Sequence, residues 1–268
     1  MKTPTIEKML QGLPETILPP IKQNSVLITW QHTNEELAPR TMHHILTKRP
    51  DLAPHVGYIC GNPLTAATQP EKGFTESDLN RSYKPVGEPK TYEEKRAVKV
   101  LELARRYSYV LDIHGAVGDT GDFLIVAEDK VDSPAAAKII AASKNKWIVV
   151  MPRFIADSTL IGAANNAVVV EYFVGHVAQG VRDSEAIIEA LVTDTIPHDP
   201  FEREFFFVTG TVPKTDDPGL DAKNFELVQD KHGGYYPIIL GTGPRSYRED
   251  PTKDYCCFAA RRCEVRVM

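Results

Sequence analysis

Residues 107–129 read YSYVLDIHGAVGDTGDFLIVAED. Two apolar, β-rich runs, Tyr107–Ile113 and Asp122–Ala127, flank a loop carrying Gly115, Gly118 and Gly121, and the first run leads directly into His114. Continuous apolar runs of this length read as strands buried on both faces. Similar runs occur at Ser25–Trp30 (SVLITW), Val56–Cys60, Trp147–Met151 and Ala167–Phe173 (AVVVEYF). Between several of them the period changes to that of a helix. In Thr91–Arg106, Ala97, Val100, Leu101 and Ala104 recur at i, i+3, i+4 and i+7, with Glu93 and Glu94 in the first turn and Arg105 and Arg106 in the last, as the helix dipole favours. Further helices are expected at Glu36–Lys48, Ser133–Ser143 and Ser184–Thr193. Strands alternating with helices predict an α/β fold, a mixed sheet flanked by helices.

After Asp194 the pattern changes. TIPHDP carries two prolines that stop a helix, and FFFVTGTV, YYPIIL and CCFAARRCEVRV then read as strands. The expected organisation is a domain over residues 1–196 followed by a smaller β-rich domain over 197–268.

The 268 residues are 42% apolar and 25% charged, the balance of a folded protein with a sizeable core. Lys and Arg (31) fall short of Asp and Glu (36), a net charge of −5 that argues against a general nucleic-acid or acidic-membrane binder. No stretch approaches the roughly 18 apolar residues of a membrane span. The first twenty residues lack a signal-peptide pattern, so a cytoplasmic location is expected. Cys60, Cys256, Cys257 and Cys263 lack metal-site spacing and are expected to be reduced, half-buried thiols. A homo-oligomer is compatible with this composition.

His32 and His114 each stand at the C-terminal end of an expected strand, where open α/β sheets gather ligand-binding groups. Glu35 follows His32 by three residues, so the pair can converge on one ion from a strand-to-helix turn. With His114 they make two imidazoles and a carboxylate, the three-ligand open set of a catalytic zinc. SDLNRSY (residues 77–83) gathers Asp78, Asn80 and Arg81 in a polar loop, and an arginine fork suits a carboxylate. Glu171 interrupts AVVVEYF, where a charge is costly unless it meets water, a metal or a partner. Beside a metal-activated water such a carboxylate is a natural general base. The other histidines carry no such context: His43 and His44 read as a solvated helix edge, and His55, His176, His198 and His232 as surface groups near turns. Arg261 and Arg262 read as an exposed strand face.

The ordered set of H-x-N-E at 32–35, N-P at 62–63, D-L-N-R at 78–81, D-I-H at 112–114 and the strand-borne Glu171 resembles the aspartoacylase and succinylglutamate desuccinylase family, relatives of the zinc carboxypeptidases. The strand, loop and return strand of residues 107–129, the helix GVRDSEAIIEALV after Glu171 and the Tyr-Pro strand YYPIIL are similar to the family's. The resemblance implies a zinc-carboxypeptidase-like mixed sheet whose C-terminal β domain caps the active-site cleft. It also implies a zinc-dependent amidohydrolase, acting on non-peptide carbon-nitrogen bonds of a small carboxylate-bearing substrate, with no nucleic-acid or membrane partner. One Zn2+ per chain would be held by His32, Glu35 and His114, with Asp78 orienting a ligand imidazole. Arg81, helped by Asn80, would hold the substrate carboxylate, with Tyr247 the candidate for a C-terminal tyrosine that family members contribute. Glu171 would take a proton from the attacking water and pass it to the leaving amine, while the zinc lowers the water pKa toward roughly 7 and stabilises the oxyanion.

Some positions differ from the family pattern. Thr33 replaces a glycine, and Gly73, beside Lys72, stands where aspartoacylases carry an arginine that polarises the scissile carbonyl. Tyr172 and Phe173 replace small residues after Glu171 and are expected to narrow the pocket or to supply an aromatic wall for the acyl group. Two alternatives share the scaffold: a metallocarboxypeptidase-like peptidase, and a non-catalytic carboxylate-binding protein.

Overall fold

The structure, a computed structural model, describes residues 13–84, 87–116, 121–196, 202–219, 221–231, 233–240, 247 and 253–267. In chain order the elements are β1 (Thr16–Ile17), β2 (Val26–Trp30), α1 (Leu37–Lys48), β3 (Val56–Cys60), α2 (Pro63–Thr68), α3 (Tyr92–Ala104), β4 (Tyr109–Ala116), β5 (Phe123–Ala127) and α4 (Pro134–Ala142). They continue with β6 (Trp147–Met151), α5 (Arg153–Ala156), α6 (Leu160–Ala163), β7 (Ala167–Phe173), α7 (Val177–Thr193), β8 (Glu202–Pro213), β9 (Val228–Asp230), β10 (Gly233–Ile238) and β11 (Tyr255–Val267).

The strands join into one mixed sheet in the order β1-β3-β2-β4-β7-β5-β6-β8-β11-β10-β9. At its centre β3, β2, β4 and β7 run parallel, while β5 lies antiparallel to β7. This order sets β2, β4 and β7 side by side with their C-terminal ends together. Beyond β6 the sheet continues without a break, because β8 pairs in parallel with β6 and then antiparallel with β11. The strands after residue 197 thus extend the sheet of the first 196 residues.

Both faces are covered. Along β2, Val26, Ile28 and Trp30 face a layer that includes Leu37, Met42 and Ile45 of α1, Ile139 of α4 and Ile187 and Leu191 of α7. Leu27 faces the opposite layer, with Ala97 and Val100 of α3, Leu160 of α6, and Phe206, Ile238 and Phe258 from the C-terminal strands. Each fully buried aliphatic side chain of this kind contributes about 1.5–3 kcal/mol, so this two-faced apolar contact is what holds the layers together. The helix ends follow local rules. Thr91 and Glu94 form a reciprocal capping box at the start of α3, and Ser133 caps α4.

Helix α7 begins at Val177, ahead of the expected Ser184, because Val177 and Val181 continue its apolar stripe between polar neighbours. The short helices α2, α5 and α6 show no period in the sequence, being four to six residues long. His44, expected at a solvated edge, is half-buried: its Nε2 lies 2.7 Å from Glu185, which with Glu189 also binds Arg49, fastening α1 to α7. His198 and His232 lie outside the described residues. Cys60, Cys256 and Cys257 are buried free thiols and Cys263 is half-buried. Among the described residues no helix is long and apolar enough to cross a membrane.

Candidate metal centre and adjoining cavity

At the end of β2 the chain turns sharply. The Glu35 amide donates to the His32 carbonyl (3.0 Å), closing a four-residue turn, and the Trp30 indole nitrogen donates to the Glu35 carbonyl (2.7 Å). The turn brings the His32 and Glu35 side chains together above the strand end. On the neighbouring strand Asp112 and His114 share a face, as residues two apart do, and Thr29 is paired in register with Asp112. One ligand atom each from His32, Glu35 and His114 lies within 4.8 Å of the others, and the two imidazole centroids are 4.9 Å apart.

Each imidazole is held between two carboxylates. His32 Nε2 lies 2.9 Å from Asp78 Oδ1 and its Nδ1 3.0 Å from Glu35 Oε1. His114 Nε2 lies 3.2 Å from Asp112 Oδ2 and its Nδ1 3.0 Å from Glu35 Oε2. If Asp78 and Asp112 each accept the Nε2 proton, both Nδ1 lone pairs face the Glu35 carboxylate, an acceptor-to-acceptor arrangement that positive charge between them, from a proton or a metal ion, relieves. Glu35 Oε2 is buried, facing His114 Nδ1. The donor set of two imidazoles and one carboxylate matches a divalent ion such as zinc, so these residues fit the group.

The charges point the same way. Burial would lower the pKa of His32, but the carboxylates of Glu35 and Asp78 outweigh it and raise it to about 10. Burial would raise that of Glu35, but His114 and His32 outweigh it and bring it down to about 2. Asp78 likewise falls well below the carboxylate range, because His32 outweighs its burial. The pocket therefore stabilises positive charge at its centre.

Glu171 sits on β7 opposite His114 in the β4–β7 register. Burial lifts its carboxyl to about 7, with His114 pulling it down and Glu35 pushing it up. A cavity of about 260 Å³ opens beside this group, lined by His32, Glu35, Asp78, His114 and Glu171 together with Asn80, Arg81 and Tyr247. The structure thus brings all eight anticipated site residues around one cavity. Arg81 has its side chain open to solvent, with Nη1 donating to the Asn80 carbonyl (2.7 Å). Asn80 Oδ1 is buried without a hydrogen-bond partner. Tyr247 packs edge-on against Tyr255 (centroids 5.1 Å apart), and burial pushes its phenol well above the usual range despite Arg81. Lys72, Phe74, Ile239 and Lys253 complete much of the rim.

The departures from the family pattern acquire physical roles. Thr33 is fully buried, and its hydroxyl donates to the Pro70 carbonyl (3.1 Å), tying the 70–73 loop to the His32 turn. Gly73 has φ of +80°, a conformation that disfavours any side chain, and a Cβ there would lie 3.0 Å from Asn34 Oδ1. Lys72, next to it, is the cation on that side of the cavity. Tyr172 does not wall the pocket. Strand alternation turns it away from Glu171 into the opposite layer, where it is buried against Gly180 and near Leu37. Phe173 packs on His176 instead (centroids 5.1 Å apart) and is absent from the lining. The aromatic carbocycles lining the cavity are those of Phe74 and Tyr247.

Asp112 was missed. It is fully buried, accepting from Thr29 Oγ1 (2.6 Å) and from the Gln31 amide as well as facing His114. An aspartate two residues before a strand-borne histidine was the available signal, since period two places both on one face.

No family model matches the chain, and no curated protein does. Solved structures do. Murine aminoacylase 3 superposes with a TM-score of 0.68 at 16% identity, covering 94% of this chain and 100% of that one. Succinylglutamate desuccinylase from Vibrio cholerae gives 0.66 at 14% identity, and that from Vibrio parahaemolyticus 0.64 at 13%, each covering 94% of this chain and 86% of the other. The chain therefore has the α/β fold, with a large mixed sheet and flanking helices, of the aminoacylase 3 and succinylglutamate desuccinylase structures.

Proposed function

We propose that this protein is a zinc-dependent amidohydrolase that removes the acyl group from a small N-acyl amino acid or similar carboxylate-bearing amide. The observation that carries this reading is the pair of imidazole Nδ1 atoms facing the Glu35 carboxylate next to Glu171, at one end of a cavity with Arg81 on its wall. The names of its fold relatives, an aminoacylase and succinylglutamate desuccinylases, point the same way.

His32, Glu35 and His114 would hold one Zn2+, which when bound supplies Lewis acidity toward a carbonyl and a lowered pKa for water. Asp78 and Asp112 keep the two imidazoles in the tautomer that leaves Nδ1 free. Arg81 and Asn80, with Tyr247 beside them, receive the substrate carboxylate and so fix which amide carbonyl reaches the centre. Glu171 accepts a proton from the attacking water on its carboxylate and delivers it to the leaving nitrogen, giving a carboxylic acid and a free amine. The sheet belongs in this reading to the zinc-carboxypeptidase type. Residues 197–268 serve as its cap, contributing Ile239, Tyr247 and Lys253 to the cavity wall. A volume of about 260 Å³ lies just below the usual ~300–1,000 Å³ of small-molecule sites and suits a small amide better than a long peptide. The chain's lack of a membrane-length helix among the described residues and its free thiols fit a cytoplasmic enzyme.

Gly73, in place of a carbonyl-polarising arginine, favours one second reading, carboxylate binding without turnover. The test separates the two. Metal analysis of the purified protein and of His32→Ala should find about one zinc per wild-type chain and a loss in the variant. A panel of N-acyl amino acids should then release free amine. Zinc without amine release selects the binding protein, and no zinc even after supply removes the hydrolase and leaves the non-catalytic reading.

A further inference from the structure

Helix α3 carries a carboxylate that the site as described does not use. Glu93 is fully buried, and among the described residues no cation lies within ion-pair distance of it. A buried carboxylate is costly unless hydrogen bonds satisfy it. Here the donors are three successive backbone amides of one loop. Thr75 N donates to Oε1 (2.6 Å), Glu76 N reaches Oε1 (3.3 Å) and Oε2 (3.2 Å), and Ser77 N donates to Oε2 (3.2 Å). The loop answers in kind, since Glu76 Oε2 accepts from the Tyr92 amide (2.9 Å) at the start of the helix.

The next residue after this grip is Asp78. Its Oδ1 meets His32 Nε2 (2.9 Å) and accepts from the Asn80 amide (2.8 Å), and Asn80 and Arg81 follow on the cavity wall. Two turns of α3 are anchored in the apolar layer through Ala97, Val100 and Ala104. Arg96 ties the same helix to the end of β3 through the Gly61 and Cys60 carbonyls (2.9 and 2.8 Å). Glu93 thus connects a rigid element to a loop whose own residues are polar and partly exposed.

We propose that Glu93 is a positioning residue for the metal and carboxylate sites: by clamping the amides of Thr75, Glu76 and Ser77 it sets where Asp78 meets His32 and where Asn80 and Arg81 face the cavity. This rests on the reading of His32, Glu35 and His114 as metal ligands. Its charge is needed for the clamp, because the three amides all require acceptor oxygens and a carboxamide offers one.

The test is a double-mutant cycle on the affinity for Zn2+ alone, by competition with a chromophoric chelator, on folded full-length protein. Loss of an outer partner of a ligand histidine costs about 10–100-fold in metal affinity, which sets the scale for Asp78→Ala. Glu93→Gln should weaken Zn2+ by roughly threefold to tenfold, a part of that effect because it acts through Asp78. In the Asp78→Ala background, Glu93→Gln should change the affinity less than about twofold. Unchanged Zn2+ affinity in Glu93→Gln, or the same loss with and without Asp78, overturns the proposal. Should Glu93→Gln not fold, Glu93→Asp, which keeps the charge and draws the oxygens back by one methylene, goes through the same cycle. A wild-type chain that does not bind Zn2+ overturns this proposal and the hydrolase reading together. A chain that shows the expected cycle and hydrolyses no N-acyl amino acid overturns the hydrolase reading alone.

Discussion

Replacing Asp112 by asparagine changes one atom and should reverse a proton. Asp112 Oδ1 accepts from Thr29 Oγ1 (2.6 Å), while Oδ2 faces both the Gln31 amide and His114 Nε2 (3.2 Å). In Asp112→Asn the remaining carbonyl oxygen keeps the Thr29 bond, and an NH2 group takes the other place. Gln31 can rotate its amide to accept, since its Oε1 has no partner at present. In this orientation, which keeps the acceptor of the buried Thr29 hydroxyl where a flipped amide would remove it, His114 avoids a donor-to-donor contact by accepting at Nε2, which moves its ring proton to Nδ1. That is the atom facing Glu35, and a protonated Nδ1 cannot ligate. The expected loss in zinc affinity is about 10–100-fold, or roughly 1.4–2.7 kcal/mol at 1.36 kcal/mol per decade.

The same loss is readable as heat stability. An unfolding entropy of about 2.1 cal/mol/K per residue makes 1 kcal/mol worth roughly 2 °C in a chain of 268 residues. The rise in Tm that saturating Zn2+ gives the wild type should therefore shrink by roughly 3–5 °C in the variant. Chelator competition measures the affinity and thermal melts with and without Zn2+ measure the shift. A dissociation constant within threefold of wild type would refute the tautomer argument.

Glu171→Gln should keep the zinc stoichiometry and lower kcat by about 10²–10⁴, the usual worth of a general base; unaltered turnover in single-turnover assays sinks the assigned role. Glu171 must be ionised to act, so kcat/KM should fall as pH drops through its pKa. Burial places that pKa near 7, and a bound cation moves it down toward the ordinary 4.5, so the acid limb belongs between those values and should vanish from the residual activity of Glu171→Gln. An acid limb well above 7 contradicts the assignment. Arg81→Ala should raise KM about 30-fold, near 2 kcal/mol, the lower end for a charged partner because this side chain is open to solvent; an unaffected KM removes Arg81 from the site. Burial pushes the Cys60 thiol up to about 12, so iodoacetamide near pH 8 should label half-buried Cys263 first and leave Cys60 intact in native protein, as peptide mapping would show.

Much of the site was legible because its chemistry sits at strand ends. The run SVLITW followed by QHTNEE marks where β2 stops and a turn begins, and the spacing of His32 and Glu35 needs only that turn to converge. The interruption of AVVVEYF by Glu171 is visible for the same reason, a charge standing out in an apolar period. Asp112 was less legible, because the sequence does not show which neighbour pairs with β4. Its partners Thr29 and Gln31 come from β2 and the residue just after it, about eighty residues earlier. Glu93 reads in the sequence as one of two acids complementing a helix dipole. Only its neighbour Glu94 caps the helix in the structure, while Glu93 turns inward to the loop.

Sequence by itself determined the local quantities: which runs are continuously apolar and which repeat with period 3.6, where charged ends and prolines bound them, and which residue types stand at each strand end. Those features depend on neighbours within a few positions, and physics acts on them before any tertiary contact forms. The tertiary structure decided what depends on register between distant strands. It placed His114 opposite Glu171, set Tyr172 on the far face, and continued the sheet from β6 into β8 so that Tyr247, Ile239 and Lys253 meet the cavity. A one-residue change of register would exchange every inward side chain for an outward one, and local pattern alone does not say which strand lies alongside.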